Sequence, residues 1–185
     1  MKTIILLALK EEAPSLGAYS NVFFTGVGKV NAASMTAMLI ERHKPDRIIN
    51  FGTAGGITVH SGLHQVSKFV QRDMICCELG SKPGQTPFES KYEIILNTGG
   101  NGLTCSTGDN FVTDSNLQIP ADVVDMEAYA IAKVCQRNLV EFLCYKYISD
   151  GANEDSFAQW HELVATGEQS YIDTLRDLKV EIINQ

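Results

Sequence analysis

Three carboxylates stand where the chain changes direction: Glu12 in Lys10-Glu11-Glu12, Glu127 in Asp125-Met126-Glu127, and Asp150 in Ser149-Asp150-Gly151. Taken singly, each has a plain structural role, as a solvated acidic turn, a carboxylate complementing a helix dipole, and a turn or cap residue. Gathered in one place, carboxylates are the groups that general acid–base chemistry needs. Two glycine-rich stretches accompany them. Thr25-Gly26-Val27-Gly28-Lys29-Val30 resembles a phosphate loop, but Val30 stands where Ser or Thr would hold magnesium, so its glycines instead permit a tight strand-to-helix turn with N–H groups open to a ligand. Gly52-Thr53-Ala54-Gly55-Gly56 lacks dinucleotide-site spacing and serves as a pocket floor or a loop. Phe111 follows the turn at Gly108 and is either a core residue or a stacking platform.

These residues need a scaffold that brings distant segments together. Apolar runs at Ile4 to Leu9, Val22 to Thr25, Arg47 to Phe51, Val66 to Val70, Val123-Val124 and Phe142 to Ile148 have the length of buried strands. They are continuously apolar more often than alternating, which predicts a largely parallel sheet covered on both faces. From Gly28 to His43, Val30, Ala33, Ala37 and Ile40 follow helical spacing up to Lys44-Pro45-Asp46, completing a βαβ unit. A second helix is expected from about Met126 to Arg137. A last one starts at Asp155-Ser156 and continues along the stripe Phe157, Trp160, Val164, Tyr171, Leu175, Leu178 and Ile182, with a kink at Gly167. The expectation is one α/β domain over residues 1–185: a three-layer sandwich with a mostly parallel or mixed central sheet and helices on both faces. In such sheets ligands collect at the carboxyl ends of the strands, where Glu12, Glu127 and Asp150 fall.

Composition narrows the partners. The 185 residues are 44% hydrophobic and 20% charged, with a net charge of -7 and no basic run, so neither nucleic acid nor an anionic membrane is an expected partner. The apolar start is cut short by Lys10-Glu11-Glu12 before a signal peptide can develop, and no run approaches a membrane span. Five cysteines with no C-x-x-C pair fit reduced thiols in a cytoplasm, and His43, His60, His64 and His161 make no metal site. No cofactor is called for.

The ordered segments Ala8-Leu9-Lys10-Glu11-Glu12, Gly26-Val27-Gly28-Lys29-Val30-Asn31-Ala32-Ala33, Lys44-Pro45-Asp46, Asn50-Phe51-Gly52-Thr53-Ala54-Gly55-Gly56, Thr107-Gly108-Asp109-Asn110-Phe111, Val124-Asp125-Met126-Glu127-Ala128 and Ile148-Ser149-Asp150 span almost the whole chain. Together they resemble the 5'-methylthioadenosine/S-adenosylhomocysteine nucleosidases of the nucleoside phosphorylase superfamily. The resemblance implies hydrolysis of a 5'-thioadenosine to adenine and a 5-thioribose, in the context of methionine salvage, by a homodimer. It implies that Asp150 protonates or hydrogen-bonds the purine at N7 and that Glu12 positions and deprotonates water. Glu127, with Met126 beside it, would hold the ribose hydroxyls; Phe111 would stack on the purine and the Val112 backbone would recognise its edge. Thr53, Ala54 and Gly55 would line the ribose and water side. Asp150 can act as an acid near neutral pH if burial beside other carboxylates raises its pKa.

Phosphorylases of the superfamily carry arginines beside the first and third strands, where this chain has Lys10-Glu11-Glu12 and Asn50-Phe51; a carboxylate beside the nucleophile favours water over phosphate. Only 13 residues separate Glu12 from Gly26, so early strands must be missing or shortened, and the segment from Pro87 to Thr104 is abbreviated. Asn153 replaces a usual acidic residue, and Arg72 stands where a neutral ring is commoner. A partner subunit would complete the 5' site through a segment like Leu79 to Pro87. Beside the hydrolase stand three other readings: a nucleosidase for another 5' group, such as an anionic one met by Arg72, a purine nucleoside phosphorylase, and a noncatalytic nucleoside-binding or scaffold protein.

Overall fold

Isoleucines and leucines at consecutive positions of the first strand can all be buried only if both faces of the sheet are covered, and this is what the computed structural model shows for residues 1–89 and 94–184. Strand β1 (Thr3–Leu7) is buried at every residue. Ile4 and Leu6 join one core with Leu39, Ile48, Phe69, Ile131 and Phe142, whereas Ile5 and Leu7 join another with Leu16, Ile49, Phe51, Tyr171 and Leu175. The first core lies under helices α1 (Lys29–His43) and α2 (Ala128–Arg137); the second lies under α4 (Glu168–Asp177). The expected three layers are present.

The remaining strands are β2 (Val22–Phe24), β3 (Arg47–Gly56), β4 (Leu63–Gln71), β5 (Leu96–Asn97), β6 (Leu103–Thr107), β7 (Val123–Asp125) and β8 (Glu141–Asp150). Their order is β2-β1-β3-β7-β6-β4-β5, with β8 pairing both β3 and β4. The sheet is mixed. Pairs β1–β2, β1–β3, β3–β8, β4–β6 and β6–β7 are parallel, while β3–β7, β4–β5 and β4–β8 are antiparallel. Because β3 pairs β8, β8 pairs β4, β4 pairs β6, β6 pairs β7 and β7 returns to β3, five strands close into a ring.

Several expectations need correction. The first strand stops at Leu7, because Ala8 and Leu9 turn their N–H groups to the Glu12 carboxylate and the chain enters a 3-10 turn over Lys10–Glu12. Gly52 to Gly56 is the end of β3 rather than a loop, with glycines demanded by close neighbours on the sheet. Strand β6, Leu-Thr-Cys-Ser-Thr, carries too little apolar signal to be recognised, yet Cys105, Ser106 and Thr107 are fully buried. The last helix is two: α3 (Ser156–Leu163) ends where the Thr166 hydroxyl bonds the Leu163 carbonyl at 2.7 Å, and α4 follows. Leu178 to Ile182 leaves the helix at Lys179, whose φ of 54° is left-handed, and is held by Asn21, which donates to the Glu181 carbonyl at 3.0 Å. The short stretch after Glu12 holds only a second 3-10 turn, Leu16–Ala18, before the three-residue β2. Of the abbreviated middle segment, 90–93 lie outside the described residues.

At Gly56 an added Cβ would stand 1.9 Å from the Val59 carbonyl oxygen and 3.0 Å from Ile148. Gly56→Ala is therefore expected to lower the unfolding free energy by the ~1–3 kcal/mol typical of overpacking, read as a lower urea midpoint; an unchanged midpoint would contradict the close approach of β3 to this loop.

Candidate active site

The parallel strands β3 and β8 run side by side from Arg47 and Glu141 to their carboxyl ends, where a register shift after Ala54 sets Asp150 beside Gly55. A Cβ at residue 55 would sit 2.7 Å from Asp150 Oδ1 and 2.9 Å from Val124, so only glycine lets the carboxylate lie against the strand. Asp150 accepts hydrogen bonds from the Ser149 hydroxyl (2.9 Å) and from the Ala152 N–H (3.0 Å). It is half-buried; the deep burial expected for it is found at Glu12 and Glu127 instead.

Glu12 is 3% exposed and lies between the ends of β1 and β3. Its Oε2 accepts the Ala8 and Leu9 N–H groups, both at 3.0 Å; its Oε1 accepts the Thr53 N–H at 2.8 Å and the Thr53 hydroxyl at 3.0 Å. Trp160 of α3 donates its indole N–H to the same Thr53 hydroxyl at 3.1 Å.

Glu127 precedes α2 and accepts the Gly28 N–H at 2.9 Å, while Asp109 accepts the Lys29 N–H at 2.7 Å. The helix-start N–H groups expected to await a ligand are thus occupied by the protein's own carboxylates. Beneath Glu127 lies a buried ion pair, Lys146 Nζ to Asp125 Oδ2 at 2.9 Å. Asp125 also accepts the Thr107 hydroxyl (2.6 Å) and the Ala128 N–H (2.8 Å), so it caps α2. Burial alone would push the Asp125 carboxyl up, but Lys146 and these donors hold it below the usual carboxylate range. Burial likewise works against the Lys146 ammonium, and Asp125 overcomes it, raising Lys146 well above the ordinary lysine value. For Glu127, burial and then the Asp125 charge push the carboxyl up to about 7 against the opposing pull of Lys146.

The nine residues singled out from sequence, Glu12, Thr53, Ala54, Gly55, Phe111, Val112, Met126, Glu127 and Asp150, all line one cavity of about 200 Å³. Phe111 is 42% exposed at its mouth and meets Phe157 edge-on at 6.4 Å between ring centroids. Sequence reasoning missed Trp160 and Phe157 as lining residues by assigning both to the core stripe of one long helix. It also misjudged Arg72. Rather than facing an anion, its guanidinium donates to the carbonyls of Ser106, Asp125 (2.8 Å), Gly108 (3.0 Å) and Asn110 (2.6 Å), and to the Asn110 side chain (3.3 Å). It therefore clamps the loop carrying Phe111 and Val112 and has no donor left for a ligand. Among the described residues, no group of three or more His, Cys, Asp and Glu side chains is arranged to hold a metal ion.

Known proteins share the chain's sequence pattern and its fold. Residues 17–83 and 100–183 match the model of the phosphorylase superfamily. Over 184 residues the chain is 30% identical to the 5'-methylthioadenosine/S-adenosylhomocysteine nucleosidase of Bacillus thuringiensis, covering 84% of this chain and 80% of that protein; the Bacillus anthracis protein of the same name matches to the same extent. Among solved structures, a Helicobacter pylori futalosine hydrolase mutant superposes with a TM-score of 0.85 at 19% identity, covering 96% of this chain and 99% of the other. A mutant of the Helicobacter pylori nucleosidase with 5'-methylthioadenosine in its active site also gives 0.85, at 20% identity, covering 95% and 98%.

The raised Glu127 pKa has a consequence for stability. Its folded value of about 7 exceeds the ordinary 4.5, so the folded state keeps a proton that the unfolded chain releases in between. This contribution is complete below pH 4.5 and is lost as the pH rises to about 7, a span of ~3 kcal/mol. In Glu127→Gln, which stays neutral, unfolding free energy measured from pH 4.5 to 7 should decline less steeply than in the wild type; parallel curves would show that Glu127 titrates normally.

Proposed function

The chain belongs to the phosphorylase superfamily and, within it, to the 5'-methylthioadenosine/S-adenosylhomocysteine nucleosidases, and from that premise we propose that it hydrolyses the N-glycosidic bond of these nucleosides to adenine and a 5-thioribose. The observation that favours water over phosphate is the charge of the cavity. Among the described residues its lining holds four carboxylates and one cation, Arg72, whose donors all go to carbonyls of β6, β7 and the Phe111 loop and to the Asn110 side chain. A phosphate dianion would enter next to Glu12 with no free guanidinium to receive it, whereas neutral water is not repelled.

Loss of the purine makes the ribose oxocarbenium-like, so catalysis is served by a proton for the base and negative charge near the sugar. Asp150, held at the end of β8, supplies the proton to N7 as the glycosidic bond breaks. Glu12 takes a proton from the attacking water, and its fixed carboxylate favours the cationic sugar. Glu127 receives the ribose hydroxyls beside Met126. Phe111 stacks on the purine, the Val112 backbone reads its edge, and Thr53, Ala54 and Gly55 line the ribose. An ionised Glu127 accepts hydrogen bonds from both hydroxyls, and the carboxyl raised to about 7 means that this form becomes dominant only above neutral pH in the free protein.

The same reading extends to assembly and location. Exposed Ile75 and Leu79 lie on the chain that follows Asp73, which bonds Lys29 at 2.5 Å and adjoins Arg72 of the cavity lining; a second copy seated there, near Leu79 to Pro87, would make a homodimer. The five cysteines are free thiols, as suits a cytoplasmic enzyme, and the product pair fits methionine salvage.

Purified protein should release adenine from methylthioadenosine at a rate that inorganic phosphate does not change. Asp150→Asn should lower kcat by ~10²–10⁴-fold, the usual weight of a general acid. Release that requires phosphate would make the protein a phosphorylase, and nucleoside binding without release would make it a binding protein.

A further inference from the structure

The Glu12 carboxylate accepts four hydrogen bonds, and four is about the number of lone-pair sites it has. Three of the donors are main-chain N–H groups fixed by the fold: Ala8, Leu9 and Thr53. The fourth, the Thr53 hydroxyl, is the one that can rotate away. A water that is to surrender its proton to Glu12 needs a lone pair on that carboxylate, and the Thr53 hydroxyl is the donor it can displace.

What the hydroxyl can do is decided by Trp160. An indole N–H donates and never accepts, so at 3.1 Å it commits a lone pair of Thr53 Oγ1 and leaves the single hydroxyl hydrogen to point elsewhere, at Glu12 Oε1 in this structure. Trp160 itself stands in a row of edge-on rings, 6.1 Å from His161, which is 6.2 Å from Phe157, which is 6.4 Å from Phe111. We propose that Trp160 is a positioning residue for the hydrolytic step: it holds the Thr53 oxygen so that the hydroxyl hydrogen can pass from Glu12 Oε1 to the incoming water oxygen while a water hydrogen takes its place on Oε1. As the water oxygen bonds to the sugar carbon, its O–H bond breaks and the proton goes to Glu12; Thr53 and Trp160 neither gain nor lose a proton. This rests on Glu12 being the base, as read above.

The test is a double-mutant cycle read in kcat and KM for adenine release. Trp160→Phe keeps a ring in the cavity and removes the N–H, so kcat should fall about tenfold while KM changes less than about threefold. Thr53→Val removes the hydroxyl and should lower kcat about a hundredfold, and Thr53→Ser should restore most of that loss. The decisive result is the double variant: W160F/T53V should be no slower than T53V, because without the hydroxyl Trp160 has nothing to orient, whereas W160F/T53S should again be about tenfold slower than T53S. The same cycle with Trp160→Tyr guards against a folding defect in one variant. Losses that multiply in W160F/T53V, or a W160F enzyme with wild-type kcat, would overturn the proposal. Glu12→Gln separates the two levels: if it still hydrolyses substrate, Glu12 is not the base, whereas if it is inactive and W160F is unimpaired, the relay alone fails.

Discussion

The pairing of Lys146 with Asp125 is the constraint around which the site is arranged. Both groups are fully withdrawn from water, a situation tolerable only when each charge is matched and the remaining lone pairs are used. Asp125 meets that condition through Thr107 on β6 and the first N–H groups of α2, so one carboxylate ties β6, β7, β8 and α2 together. Glu127 owes its place to that cap and its elevated pKa partly to the same negative charge. Lys146 also reaches Gly52, where a Cβ would lie 3.2 Å from its Nζ and 3.1 Å from Glu12 Oε1. A single buried cation therefore sits within the group of carboxylates that the chemistry requires, and without it their mutual repulsion would act on the folded state directly.

Around this centre the elements arrive by strand ends. Glu12 follows β1, Thr53 and Gly55 close β3, Glu127 follows β7 and Asp150 closes β8, so four strands each place a residue at one edge. Their convergence needs glycine where backbones and carboxylates nearly touch, which explains Gly52 and Gly55 better than a flexible loop does. Arg72 performs a comparable service for the aromatic side of the cavity by collecting carbonyls of β6, β7 and the Phe111 loop.

What could be read from the sequence was what apolar runs and short motifs encode. The continuously apolar run Ile4 to Leu9 announced a sheet covered on both faces, although the strand itself ends at Leu7, and the segments containing Glu12, Glu127 and Asp150 pointed to one shared edge. Strand β6 escaped because its buried side chains are polar rather than hydrophobic, with the Thr107 hydroxyl and the Cys105 thiol bonded to Asp125. Lys146 lies within an apolar strand, 21 residues beyond its partner, and nothing local marks it as the counter-ion. Arg72 looked like an anion receptor because its partners are main-chain carbonyls, which have no letter in a sequence. Trp160 shares its spacing with core residues, and its bond to Thr53 spans 107 residues of sequence, so no local pattern marks it.

The closed ring of β3, β8, β4, β6 and β7 also bears on how the protein behaves in a crowded solution. Strands that carry the cavity have neighbours on both sides, which among the described residues leaves the sheet edges at β2 and β5. Those edges are three and two residues long, too short to template an added strand from another molecule. The long strands β3 and β8 thus have their backbone groups engaged by the same topology that aligns their ends at the cavity.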